Sequence, residues 1–164
     1  MTTDRERKKN LLLLSAALWL LDAVFYLLSF IWPEMYRWSL LFYLPLFLGV
    51  VYPFFVMGQQ MRSNPQNLVK GLGRKENRWL LILLVVSVLI TIISFFWNGL
   101  AVLGQGSGEL IDGVFWRADH GNLIERITEA EYLRLRAAET RLGLGHLFVF
   151  LALPTVCFGR KKAE

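Results

Sequence analysis

An aspartate in the middle of an otherwise uncharged apolar run is the residue in this sequence best placed to do chemistry. Asp22 lies between Asn10 and Pro33 among leucine, alanine, phenylalanine and tyrosine. An acid there costs about 2.5–3.5 kcal/mol on membrane-insertion scales, and such residues are functional candidates by default. Ser15, Asp22, Tyr26 and Ser29 are spaced so that they share one helical face. A second polar stripe, Ser87, Thr91, Ser94 and Asn98, recurs in steps of four, three and four along Trp79 to Gly108. Small hydroxyl residues and an amide in one stripe permit close helix approach and interhelical hydrogen bonds in lipid. The two stripes are expected to meet, with Asp22 and Thr91 at similar depth. Asp22 is then either a proton or cation site, or a neutral acid hydrogen-bonded to Thr91, Ser87 or Tyr26 that holds two helices in register. No lysine or arginine stands at comparable depth in the other runs, and no relay partner accompanies the acid, which favours the structural role. His146 lies at about the depth of Asn98 and completes the candidate intramembrane polar set of Asp22, Ser87, Thr91, Asn98 and His146. A lone imidazole there reads more simply as a hydrogen-bonded interfacial group than as a pH sensor.

The other chemically suggestive groupings are weaker. Asp119, His120 and Glu125 look like a metal or catalytic cluster, but they alternate faces around a short turn, and metal sites need three or more convergent ligands with a supporting shell. The stretch Lys70 to Lys75 lacks the glycine spacing and the Gly-Lys-Ser/Thr ending of a phosphate loop; it reads as a basic patch for anionic lipid. Cys157 is the single cysteine, so an intramolecular disulfide or a cysteine-pair zinc site is excluded. Ser87, Ser94 and His146 are not linked by any nucleophile–base motif. The expectation is a protein that is not an enzyme, with no catalytic residues, no metal and no cofactor.

The elements that position these residues are apolar runs. Four stretches, about 11–32, 39–58, 79–103 and 142–159, are long enough to cross a bilayer, which takes roughly 20 mostly apolar residues. Backbone amides in lipid have no water to bond, so each run must be helical. With 55% hydrophobic residues among 164, the chain is expected to be a single polytopic membrane domain over 1–164, an all-α four-helix transmembrane bundle. The first run continues too far for a signal peptide and reads as an uncleaved anchor. Pro45 and Pro53 are expected to bend the second span.

Lysine and arginine beside the spans set orientation. Twelve fall at the N-terminus, the second connection and the C-terminal tail, against six on the opposite side. Both termini are therefore expected in the cytoplasm of a bacterial-type inner membrane. The net charge of +5 comes from these flanking clusters, so no nucleic-acid partner is implied. Trp32, Tyr36, Trp38, Trp79 and Trp97 fall where interfacial aromatics belong.

Only the segment at about 105–141 has room for extramembrane structure. Val114 to Arg117 and Leu123 to Ile127 flank Asp119-His120-Gly121-Asn122, an expected extracytoplasmic β-hairpin with Gly121 at positive φ. Thr128-Glu129-Ala130-Glu131 fits a capping box. An amphipathic helix through Tyr132, Leu135 and Leu142 should follow and enter the fourth span, with Gly143 and Gly145 offering a bend. A two-stranded hairpin is marginal alone and needs a neighbour. Trp116, Arg117, His120, Tyr132 and Arg136 are the candidate partner-binding residues. The expected function is that of a non-enzymatic interaction protein, an accessory or assembly subunit or a toxin-immunity protein. Its expected partners are the lipid bilayer and a membrane or extracytoplasmic protein, with a homo-oligomer possible. The alternative is a small proton- or cation-coupled transporter or channel with Asp22 as its acid.

Overall fold

Backbone hydrogen bonding in this chain is resolved almost entirely within long helices. The computed structural model describes residues 4–63, 75–104 and 106–159. Part of the inner connection (64–74) and the C-terminal Arg160, Lys161 and Lys162, on which much of the orientation count rests, lie outside the described residues. Helix α1 runs Asp4–Ile31 and leads through a 3₁₀ segment, Pro33–Trp38, into α2, Ser39–Ser63. After a short 3₁₀ turn, α3 covers Arg78–Ser94 and continues as a π-helix, Phe95–Val102. Three strands follow, β1 (Ser107–Ile111), β2 (Val114–Asp119) and β3 (Asn122–Arg126), and then α4, Glu129–Gly159. Four helices are long and apolar enough to span a bilayer.

Helix α4 is the hub: α1, α2 and α3 all pack on it, and α1 also touches α2. The expectation that the polar faces of the first and third spans meet directly therefore needs correction. Apart from one side-chain bond, both faces are turned toward α4. Small residues explain the close approach. A Cβ at Gly143 would sit 2.5 Å from the Tyr43 hydroxyl, and one at Gly145 only 2.3 Å from Ser94 Oγ. As expected, the helix that opens at the sheet continues directly into the fourth apolar run, as one α4 of 31 residues, about 46 Å long at 1.5 Å per residue. The function of Gly143 and Gly145 is to let neighbours in. Helix α2 continues through Pro45 and Pro53.

Side-chain partition is inverted relative to a soluble core. Ser15, Asp22, Ser29, Ser87, Ser94, Asn98 and Thr155 are buried, whereas Leu20, Leu27, Ile31, Leu40, Phe55, Ile82, Ile93 and Trp97 are exposed.

The expected hairpin is a three-stranded antiparallel sheet in the order β1-β2-β3. Two-residue turns join the strands: Asp112-Gly113 with φ of 50° and 77°, and His120-Gly121 with φ of 50° and 83°. Two successive positive φ values match the right-handed strand twist, the reason such turns dominate tight hairpins. The unforeseen strand, β1, precedes Asp112-Gly113, a dipeptide that is itself a strong hairpin signal. The sheet rests on the first turns of α4: Gly108 lies so close that a Cβ there would be 2.9 Å from the Tyr132 ring, and Phe115 stacks on that ring at 5.0 Å. Tyr132 meets Tyr36 of the 3₁₀ segment edge-on at 5.8 Å. Sheet, 3₁₀ segment and helix form one cap over the bundle. Thr128 Oγ1 accepts the Glu131 amide at 3.2 Å, the forward half of a capping box; the Glu131 carboxylate is paired with Arg117.

Candidate functional site

The polar stripes are stitched to the backbone of α4. Tyr43 donates to the Thr140 carbonyl at 2.6 Å, Ser94 to the Arg141 carbonyl at 2.9 Å, and Thr91 to the Gly145 carbonyl at 2.7 Å. A helix carbonyl keeps a second lone pair after its own ladder bond, so three side chains from α2 and α3 can anchor without breaking α4. The direct link between the first and third spans is Trp19 Nε1 to Ser87 Oγ, 2.9 Å; Ser87 in turn donates to the Leu83 carbonyl at 2.7 Å. This answers the requirement that a buried indole N–H find a partner.

Arg141 closes the seam at the end nearest the sheet, a role that spacing assigned to no residue. Its Nε donates to Asn98 Oδ1 at 2.9 Å and its terminal nitrogen to the Ser29 carbonyl at 3.1 Å. The guanidinium also lies 4.8 Å from the Phe30 ring centroid, within cation–π range. Asn98 completes the chain by donating to Ser94 Oγ at 3.2 Å. One side chain thus ties α1, the π-helix and α4 together. A usable signal existed: an arginine one turn from two glycines at the mouth of an apolar run, at the depth of an asparagine in another. His146, expected at about the depth of Asn98 as a hydrogen-bonded group, sets Nδ1 2.7 Å from the Leu142 carbonyl and its ring edge-on to Phe95.

Asp22 behaves differently from every other member. It is fully buried, and neither carboxyl oxygen has a hydrogen-bond partner among the described residues. The expected bonds to Thr91, Ser87 and Tyr26 are not made, since Thr91 and Ser87 are committed to α4 and Trp19. Its position follows from its neighbours. Leu18 and Phe25 meet α2 at Gly49 and Phe42, and Trp19 and Tyr26 meet Phe148 of α4, each at 5.5 Å. Asp22 lies between these pairs on the same face, so it points at the seam where α2 and α4 come together.

In the cap, three of the five candidate partner residues are used internally. Tyr132 is buried between Phe115 and Tyr36. Arg117 pairs with Glu125 at 2.9 Å and with Glu131. Arg136 pairs with Glu139 and lies 5.3 Å over the Tyr36 ring. Trp116 is half-buried beneath the Arg126 guanidinium at 5.1 Å. His120 stands at the tip of its turn, 90% exposed and 2.7 Å from Asp119. Asp119, His120 and Glu125 do not converge, and among the described residues no three His, Cys, Asp or Glu side chains gather as metal ligands. Cys157 is buried near the inner end of α4. Strand β3 is exposed along all five residues, Leu123 and Ile124 included.

Comparison with protein-family models, with curated proteins and with solved structures finds no match. The functional reading therefore rests on geometry.

Proposed function

We propose that the chain is a multi-pass integral protein of a bacterial-type inner membrane, with both termini in the cytoplasm, that binds another membrane or extracytoplasmic protein through its outer cap. An accessory or assembly subunit, or an immunity protein against a membrane-directed toxin, fits this role. Insertion is supported by the partition described above: a helix bundle with leucine, isoleucine and phenylalanine outside and hydroxyls inside matches hydrocarbon as solvent.

The observation that carries the binding role is β3. It is an edge strand exposed throughout, held on a cap that Phe115, Tyr132 and Tyr36 fasten to α4. An unpaired strand edge offers backbone donors and acceptors to an incoming chain. Photo-crosslinking side chains placed at Trp116 and Ile124 in the living cell test it. A discrete adduct with a second protein is expected at these positions and not at a lipid-facing control such as Leu27. Absence of any adduct at both cap positions would overturn the reading, and an adduct with a second copy would make the partner the chain itself.

Asp22 favours a second reading, a small proton- or cation-coupled transporter or channel. It expects a proton- or cation-dependent flux in liposomes that Asp22→Asn abolishes. Wild-type vesicles that show no flux would remove it.

A further inference from the structure

Every buried serine, threonine and asparagine along the seam of this bundle has a hydrogen-bond partner, and Asp22 does not. Ser15 and Ser29 donate to carbonyls of their own helix at 2.8 and 2.6 Å, Thr155 to the Leu151 carbonyl at 2.8 Å, and Ser87, Thr91, Ser94 and Asn98 bond as described. The α1 residues on either side of Asp22 pack on apolar groups: Trp19, Phe25 and Tyr26 against the cluster of buried Leu46 and Leu144, and Trp19 and Tyr26 against buried Phe148. An isolated carboxylate in such surroundings costs far more than a bundle of this size tolerates, so its charge has to be cancelled.

Among the described residues no counter-charge reaches Asp22. Arg141 is engaged two turns outward at Asn98 and the Ser29 carbonyl. His146 is turned to the Leu142 carbonyl and to Phe95 of the π-helix. Tyr26 lies on the same helix as Asp22, one turn outward, with its ring against Phe148. Tyr43 of α2 gives its proton to the Thr140 carbonyl. Between Trp79 and Ser94, α3 contributes no titratable side chain. These are the charged and titratable groups that the packed elements bring toward the site, and none pairs with the acid.

We propose that Asp22 is a binding site for one proton in the junction of α1, α2 and α4, and that occupancy holds α1 and α2 closed on α4. One turn inward of Asp22, Leu18 packs so tightly on Gly49 that a Cβ there would be 2.2 Å from it. This contact cannot tolerate separation of the two helices without losing its packing. An occupied site is neutral and lets them close; an empty site leaves a bare carboxylate that draws water between them. The proposal rests on the four helices crossing the bilayer, and it is independent of whether any ion is carried across.

The test is unfolding of the full-length protein in lipid nanodiscs, titrated with pH in choline chloride and then with sodium chloride at fixed alkaline pH. With Asp22 occupied, the folded state holds one more proton than the unfolded state. The folded-to-unfolded ratio then falls up to tenfold for each pH unit above the range of an ordinary aspartate. A ratio that rises with sodium and not with choline, and does not fall with pH, would overturn the proposal. Asp22→Asn, which stays neutral, removes the pH dependence that the wild type shows. Infrared spectra of the wild type give a readout that does not need the variant to fold. At about pH 8 all exposed carboxyls are ionised, so a surviving carboxylic C=O band marks the bound proton. Indifference of the wild type to pH in this range, or the same dependence in Asp22→Asn, would overturn the proposal. Carbonate extraction of membranes separates that result from failure of the membrane reading itself.

Discussion

Arg141 brings a guanidinium into the bundle and directs it at uncharged acceptors, the Asn98 amide oxygen and the Ser29 carbonyl. Hydrogen bonds from a charged donor contribute about 1.5–3 kcal/mol each, and deleting the donor leaves buried acceptors unpaired. Arg141→Ala is therefore expected to destabilise the fold by about 2–3 kcal/mol, read as a lower midpoint in denaturant titration of the purified protein. Arg141→Lys keeps the charge but not the planar fork that reaches two helices at once, so its midpoint should fall between the two. A midpoint for Arg141→Ala equal to wild type would refute the clamp. His120, by contrast, is exposed at a turn tip, and His120→Ala should stay within about 0.5 kcal/mol of wild type. Both residues are polar and neither was separable by sequence spacing. Their different weight comes from what surrounds them.

At the scale of elements, glycine positions decide how closely the helices sit. Gly145 faces Ser94, whose Oγ and Cβ would lie 2.3 and 2.4 Å from an added Cβ. Gly145→Ala should cost about 1–3 kcal/mol, the usual penalty for overpacking. Ser94→Ala should not rescue it, because the obstructing Cβ remains. Gly58 of α2 has nothing within 4 Å of an added Cβ, so Gly58→Ala should be neutral or stabilise by up to about 1 kcal/mol through helix propensity. Equal effects at the two glycines would show that helix propensity, and not close approach, governs the loss at Gly145. In the sheet, Gly113 has open space around it but a φ of +77°. Gly113→Val should loosen the β1–β2 turn by about 1–2 kcal/mol, seen as faster proteolysis of the cap while the helices stay intact.

For the whole molecule, sidedness is the prediction with most reach. If both termini are cytoplasmic, a cysteine at His120 should react with a membrane-impermeant maleimide added to intact cells, and one at Lys8 should react only after permeabilisation. The reverse pattern would invert the proposed topology and move the cap to the cytoplasm. The number, order and approximate bounds of the four long helices were legible from apolar run length, because run length is a one-dimensional property of the chain. Stripe membership was also legible: Ser15, Asp22, Ser29, Ser87, Ser94 and Asn98 are all buried. Which stripe meets which was not. Intervals of three and four residues define a face, and they leave open what the face meets.

Composition and spacing by themselves determined that this chain consists of four long apolar helices with polar groups gathered on inward faces and one small segment between the third and fourth. Lipid-length runs and helical periodicity are local properties, and they survive any rearrangement of the helices. Only the tertiary structure decided that α4 is the common partner, that Gly143 and Gly145 permit close approach, that Arg141 clamps the seam, and that Asp22 has no hydrogen-bond partner among the described residues. Each of these depends on the distance between atoms far apart in sequence, and that distance is set by how side chains from separate helices fit together.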